Sequence, residues 1–143
     1  MAVNVEFIKG NKEFITHYLK ELIDIDHKYF KDLAWGSDAF LYDLDDKFEL
    51  SQLIFENSIL IGYAILSRKE SAIHIHKFAI KPEFSSKGYG KLLMEKLQNL
   101  YLNEKISLKV EKSNIDAIIF YLKKKFIFTS SLNEYYVMEY EKE

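Results

Sequence analysis

The residues best suited to chemistry lie in one stretch between a predicted strand and a predicted helix. The first turn of a helix leaves backbone N–H groups without partners and carries the positive end of the helix dipole, so it favours an anionic phosphate. Glycines at positions 88 and 90 remove side chains that would hold a pyrophosphate away from these amides, and Lys87 and Lys91 add positive charge. An ordinary tight loop before a helix is the alternative. The stretch reads Phe78-Ala79-Ile80-Lys81-Pro82-Glu83-Phe84-Ser85-Ser86-Lys87-Gly88-Tyr89-Gly90-Lys91.

Two well-known phosphate-binding patterns do not fit this stretch. The Walker pattern fails because position 85 is Ser and because Leu92 stands where Ser or Thr should follow the lysine. The dinucleotide fingerprint fails because position 93 is Leu rather than Gly. A phosphate site, if present, therefore belongs to another kind of protein.

A second group of residues follows further along the chain. Asn114 and Tyr121 are seven residues apart, which is two turns of a helix, so we expect them to share one helix face. The whole group reads Leu108-Lys109-Val110-Glu111-Lys112-Ser113-Asn114, then Ala117-Ile118 and Phe120-Tyr121.

These two groups together resemble the acetyl-CoA-binding motifs of the GNAT superfamily of N-acetyltransferases. The resemblance covers residues 51–140 well and the N-terminal third only by the order of elements. Two positions depart from the family pattern: Ser85 stands where the family usually has Arg or Gln, and Lys125 stands where it often has Gly. The Ser85 hydroxyl can still donate one hydrogen bond to a phosphate.

The resemblance implies acetyl-CoA as co-substrate and assigns roles to residues. It makes Tyr121 the general acid that protonates the CoA thiolate, and it places backbone N–H groups of Phe78 to Ile80 against the oxyanion and the pantetheine arm. The implied cofactor-binding residues are Phe78, Ala79, Ile80, Ser85, Ser86, Lys87, Gly88, Tyr89, Gly90, Lys91, Asn114 and Tyr121.

The general base is less defined by the sequence. Some family members carry a Glu on the strand before the loop, near the position of His74, so we take His74 as the candidate base. Successive side chains of a strand point to opposite faces, so His74 and His76, two residues apart, should face the same side. Ordinary strand histidines are the alternative, and a metal site lacks a third ligand. The family branch that acetylates protein N-termini has a Glu at the position of Lys109. Lysine at this position argues against a glutamate base of that kind in this chain.

Composition excludes several classes of protein. The chain has no cysteine, so a thiol nucleophile, a Cys-acyl intermediate, a Cys-ligated metal and a disulfide framework are impossible. The net charge of −2 and the single arginine, Arg68, argue against a nucleic-acid partner. The longest apolar run, Ile59 to Leu66, is too short to span a bilayer, and no secretory signal is evident, so we expect a soluble cytoplasmic protein without a membrane partner.

Charge is distributed unevenly. Residues 24–49 contain eight acidic residues against three lysines, and residues 81–125 contain ten lysines against five acidic residues. The lysine-rich half suits the phosphates of CoA, and the acidic segment would attract a cationic amine if it lined the acceptor side. A solvated helix face is the alternative explanation of the acidic excess.

The elements that must position these residues form an α/β pattern. Hydrophobic periodicity predicts helices over 12–30, over the segment with Leu93 and Leu97, and over 114–125. It also predicts a short helix that Ser37 or Asp38 would cap and that ends at about Leu50. It predicts strands at 1–10 with Val3, at 52–56, 60–67 and 72–80 as an antiparallel meander, and at 106–110, 126–130 and 135–140. The expected fold is one GNAT-like domain over 1–143, with a mixed, mostly antiparallel sheet of about seven strands and about four helices on its faces.

The function expected from the resemblance is acetyl transfer from acetyl-CoA to a primary amine by direct attack in a ternary complex. The acceptor would be a small-molecule or peptide amine, no metal is expected, and the protein would be a monomer or a homodimer. A non-catalytic acyl-CoA-binding or regulatory module on the same fold is the alternative.

Overall fold

Seven strands form one sheet in a computed structural model that describes residues 4–142. In the order β1-β2-β3-β4-β5-β7-β6, every neighbouring pair is antiparallel except β4 and β5, which are parallel. This confirms the predicted mixed, mostly antiparallel sheet of seven strands. The strands are β1 (Val5–Lys9), β2 (Gln52–Glu56), β3 (Ile59–Lys69), β4 (Ala72–Ile80), β5 (Lys105–Glu111), β6 (Ile127–Leu132) and β7 (Tyr135–Tyr140).

Helices pack on both faces of the sheet. Helices α5 and α6 cover a core that includes Ile54, Ile73 and Leu108, and the first helices cover a second core that includes Leu53 and Tyr63. Strands β2 and β3 are therefore buried on both sides. The helices are α1 (Lys12–His17), α2 (Leu19–Phe30), α3 (Ser37–Leu41), α4 (Lys47–Leu50), α5 (Tyr89–Leu100) and α6 (Ile115–Lys123), with 3-10 turns at Lys31–Leu33 and Pro82–Phe84.

The single helix predicted over 12–30 is two helices in the structure. The backbone of Tyr18 leaves the helical region with a ψ of 17°, so α1 ends and α2 begins around this residue. The Tyr18 ring packs edge-on against Phe55 of β2, with ring centroids 5.1 Å apart. Ile15 and Leu22, on either side of the break, are both fully buried.

The helix predicted from Ser37 or Asp38 to Leu50 is also divided, and the buried Lys47 shows why. Its ammonium donates to the carbonyl oxygens of Ala39, Phe40 and Tyr42 at 3.0, 2.6 and 2.8 Å, so it satisfies the open end of α3. Burial lowers the pKa of Lys47 to about 8. These hydrogen bonds require the chain to turn back between α3 and α4, because Lys47 must reach carbonyl groups that a continuous helix would use internally.

Other predicted boundaries agree with the structure within a few residues. The expected capping role of Ser37 or Asp38 is wrong, because Gly36 occupies the N-cap of α3 and no side chain caps this helix. Val3 lies outside the described residues.

Candidate functional site

The centre of the sheet contains a gap between two parallel strands. The β4–β5 ladder extends from the pair Ala72 and Lys105 only as far as the pair Ile75 and Leu108. Beyond it β4 continues to Ile80 and β5 to Glu111 without pairing to each other. Backbone N–H and C=O groups on the facing sides of the strands are therefore open to an extended ligand.

A β-bulge lies where the two strands separate. Ile65 of β3 pairs with Lys77 and Leu66 pairs with Ile75, so His76 is an extra residue in β4. Bulges change the direction of the side chains that follow them. Here Lys77 points into the core under α2, and Phe78 packs in the core on the opposite face. Simple alternation along the sequence does not reveal this shift.

The loop after β4 leads directly into the first turn of α5. Gly88 is the N-cap of α5 with a φ of +87°, and Ser86 also has a positive φ, of +64°. The first helical hydrogen bond runs from the Leu92 N–H to the Gly88 carbonyl, so the N–H groups of the three preceding residues have no partner within the helix. A Cβ at Gly88 would have no atom within 4 Å, which leaves open space in front of these amides. The loop therefore fits an anionic group.

Side chains of the loop contribute less than its backbone. The Ser85 hydroxyl donates to the Pro82 carbonyl at 2.8 Å, so the proton that we expected to reach a phosphate is already used within the loop. Lys87 is exposed and lies over the Phe84 ring at 5.7 Å. The Tyr89 side chain is buried in the core, so only its N–H can face a ligand.

Phe120 of α6 joins the loop to the gap. A Cβ at Gly90 would meet the Phe120 ring at 3.6 Å, an ordinary contact distance. The same ring lies 5.8 Å from the Phe78 ring of β4 and 5.5 Å from the Tyr121 ring. One aromatic side chain thus brings together the start of α5, the free end of β4 and the predicted acid.

Tyr121 lies in an apolar environment between aromatic rings. It packs against Phe120 and, at 5.7 Å between centroids, against Phe126. Burial raises the pKa of Tyr121 to about 12, so the phenol stays protonated at neutral pH. Asn114 is exposed and caps α6, its Oδ1 accepting from the Ala117 N–H at 3.3 Å.

The two histidines face each other on the side of the sheet opposite α5, with ring centroids 4.8 Å apart. His74 Nδ1 lies 2.9 Å from Ser107 Oγ, and His76 Nε2 lies 2.6 Å from Ser67 Oγ. Burial lowers the pKa of both histidines to about 4, so both are neutral at pH 7. Their serine partners were not singled out in the sequence, because no local pattern connects Ser107 to His74.

Part of the acidic excess in residues 24–49 is structural. Asp26 is fully buried and accepts from the Tyr63 hydroxyl at 2.5 Å and from the Trp35 N–H at 2.7 Å. Lys77 lies 3.0 Å from the same carboxylate, and Asp46 pairs with Arg68 at the surface. These two carboxylates are therefore committed to partners within the protein.

Residues 4–142 contain no group of three or more His, Asp or Glu side chains placed to hold a metal ion. No helix within the same range is both long enough and apolar enough to cross a membrane.

The sequence of residues 16–126 matches the model of the acetyltransferase (GNAT) family. The chain belongs to the GNAT acetyltransferase family. It is thus an acyltransferase. The matched residues include the β4–β5 gap, the loop with Gly88 and Tyr121.

Solved structures share this fold over nearly their whole length. Ard1 from Thermoplasma volcanium has a TM-score of 0.79 at 19% identity and covers 100% of this chain and 99% of its own. PaiA N-acetyltransferase from Thermoplasma acidophilum, in complex with coenzyme A, has a TM-score of 0.72 at 20% identity. The match covers 98% of this chain and 99% of that protein. The ribosomal-protein-S18-alanine N-acetyltransferase from Escherichia coli has a TM-score of 0.73 at 16% identity. The match covers 96% of this chain and 92% of that protein. No curated protein matches the sequence significantly.

Proposed function

We propose that this GNAT acetyltransferase moves an acetyl group to a primary amine by direct attack, with Tyr121 as general acid. The observation that carries the proposal is the position of Phe120, which contacts Tyr121, the end of β4 and the start of α5. The free N–H groups at the start of α5, an open strand edge and a protonated phenol are thereby grouped around one gap. The absence of cysteine leaves no thiol to carry an acetyl group in between.

The donor would be held mainly by backbone groups. Bound acetyl-CoA supplies an acetyl thioester, whose thiolate is a fair leaving group because thiols have a pKa of about 8.5. The free N–H groups at residues 89–91 would face its pyrophosphate, with Lys87 and Lys91 nearby as counter-charges. The backbone of Phe78 to Ile80, unpaired on the β5 side, would donate to the pantetheine arm and to the carbonyl oxygen that gains negative charge.

The proposed reaction balances without a metal or an oxidant. The neutral acceptor nitrogen forms a bond to the acetyl carbon, and the carbon–sulfur bond breaks. Tyr121 gives its phenolic proton to the departing sulfur. The nitrogen loses a proton to a base or to water, and a proton passed on from there restores the phenol. We retain His74, neutral at pH 7, as the proposed base.

The test is the Tyr121→Phe variant in a thiol-release assay over amines, polyamines, amino sugars and peptides. We expect kcat to fall about 100-fold or more, because general acids contribute on that scale. The affinity for acetyl-CoA, measured by isothermal titration, should change little, since only a hydroxyl is removed. The control is Tyr42→Phe, at an exposed position.

Two results would contradict the proposal. An unchanged kcat in Tyr121→Phe would remove the general-acid role. Binding of acetyl-CoA by the wild-type protein without release of CoA in the presence of any amine would favour the non-catalytic module.

A further inference from the structure

A groove of about 280 Å³ opens on the sheet face opposite α5 and α6. Ile106 and Leu108 of β5 point into the core under those helices, so the alternate residues Ser107 and Lys109 point to the opposite face. The core covered by α1 to α3 contains side chains of β1 to β4 but, among residues 4–142, none from β5, β6 or β7. This part of the face is therefore open to solvent.

Three lysines line the groove, and two of them form no ion pair within the described residues. Lys105 lies 3.7 Å from Glu139 across the β5–β7 ladder. Lys69, at the end of β3, and Lys109 have no carboxylate within 4.0 Å in the described part of the chain, although Glu70 also lines the groove. Three lysines against the carboxylates of Glu70 and Glu139 give the groove a net positive charge, which favours an anion.

The uncompensated charge is concentrated around one histidine. Burial contributes most to the lowered pKa of His74, and the charges of His76, Lys69 and Lys109 lower it further. The groups of the groove that titrate or carry charge are thus His74, Lys69, Glu70, Lys105, Lys109 and Glu139.

The groove lies along the paired part of β4 and β5, and Lys109 marks its end nearest the gap. The parallel ladder ends at Leu108, so Lys109 is the first residue of β5 beyond it. Tyr121 and α5 pack on the opposite face of the sheet. A molecule that approaches the gap along this groove would pass His74 and Lys109.

We propose that this groove binds a carboxylate of the acceptor, so that the substrate class is an amine that also carries an acidic group, such as an acidic peptide. The proposal rests on the proposed function, because the acceptor must enter from the open face. Lys69 and Lys109 would form ion pairs with the carboxylate. Their positive charge would also favour the neutral, nucleophilic form of a nearby amine.

The first test compares acceptors that differ only in charge. Ala-Glu-Glu-amide, Ala-Gln-Gln-amide and Ala-Lys-Lys-amide are assayed by CoA release with the full chain. We expect kcat/KM to be about tenfold higher for the Glu peptide than for the Gln peptide, lowest for the Lys peptide, and the preference to weaken with added salt. Equal values for the Glu and Gln peptides would overturn the proposal.

Variants locate the effect in the groove. Lys109→Gln and Lys69→Gln should each reduce the preference for the Glu peptide several-fold, and the double variant should abolish it. Lys20→Gln, at an exposed position on α2, is the matched control and should leave the preference unchanged. A preference that survives in the double variant would overturn the proposal.

A binding measurement separates this proposal from the proposed reaction. In the presence of CoA, acetyl-Ala-Glu-Glu-amide should shift the His74 imidazole NMR signals at about tenfold lower concentration than acetyl-Ala-Gln-Gln-amide. The His74→Asn variant assigns these signals. Selective binding of the Glu peptide without turnover of any amine would contradict the proposed reaction and support the anion site. Turnover without charge preference, or no shift with either peptide at millimolar concentration, would overturn the anion site only.

Discussion

At the scale of single residues, burial has opposite effects on the two groups proposed to move protons. It raises the pKa of Tyr121 to about 12 and lowers the pKa of His74 to about 4. Loss of water always disfavours the charged form, which is phenolate for tyrosine and imidazolium for histidine. One physical cause therefore keeps the acid protonated and the base unprotonated throughout the neutral range.

The pH dependence of the wild-type enzyme should follow the acceptor. Because neither His74 nor Tyr121 titrates between pH 6 and 9, kcat/KM should rise with pH as the amine loses its proton, and level off near the pKa of that amine. His74→Gln should lower kcat about 100-fold or more without moving this profile. The control is His27→Gln, at an exposed position on α2. An unchanged kcat in His74→Gln would contradict the role of His74 as the base and would leave it only a structural role through its hydrogen bond with Ser107.

At the scale of elements, the loop before α5 depends on backbone conformation more than on side chains. Gly88 has a left-handed φ of +87°, where a Cβ is strained even though space is available. Gly90 has no positive φ, and a Cβ there would make an ordinary contact with Phe120. The backbone conformation therefore favours glycine at position 88 but not at position 90.

Alanine variants at positions 88 and 90 should therefore differ in stability. Gly88→Ala should lower the free energy of unfolding in urea by about 1–2 kcal/mol and weaken acetyl-CoA binding in isothermal titration, because the amides of α5 would shift. Gly90→Ala should not lower stability, since alanine favours a helical position by up to about 1 kcal/mol. Equal losses of stability in both variants would contradict the role of the left-handed residue.

The elements also show what local sequence can predict. Strands 52–56, 72–80 and 135–140 coincide with the predictions because alternating hydrophobicity is a local property. The break between α3 and α4 depends on Lys47 reaching three carbonyl groups, and the bulge at His76 depends on pairing with β3. Both are tertiary effects that periodicity does not contain. For the same reason the sequence indicates the loop and Tyr121 but not Ser107 beside His74.

At the scale of the whole molecule, one buried charged cluster connects the helical layer to the sheet. Asp26 of α2 receives hydrogen bonds from Tyr63 of β3 and from the Trp35 backbone, and it pairs with Lys77 beside the bulge of β4. The Lys77 ammonium also donates to the Leu33 carbonyl at 2.8 Å. Burial lowers the pKa of Lys77, whereas its hydrogen bond to Asp26 opposes this. The cluster fixes the strand just before the proposed oxyanion site at Phe78.

Removing one partner of this pair should cost more than removing both. Asp26→Asn should lower the free energy of unfolding by about 3–5 kcal/mol, because a buried ammonium loses its counter-charge. The double variant Asp26→Asn with Lys77→Met should recover part of that loss. Urea denaturation of the single and double variants gives the coupling free energy. Additive losses would show that the ion pair contributes no specific coupling.

The short parallel ladder makes the protein and its donor interdependent. Four residue pairs join β4 to β5, and beyond them the facing backbone edges have no strand between them. An extended molecule bound there would serve as a removable eighth strand and connect the two halves of the sheet. On this proposal, binding of the donor would stiffen the middle of the sheet, and release of CoA would loosen it again in each catalytic cycle.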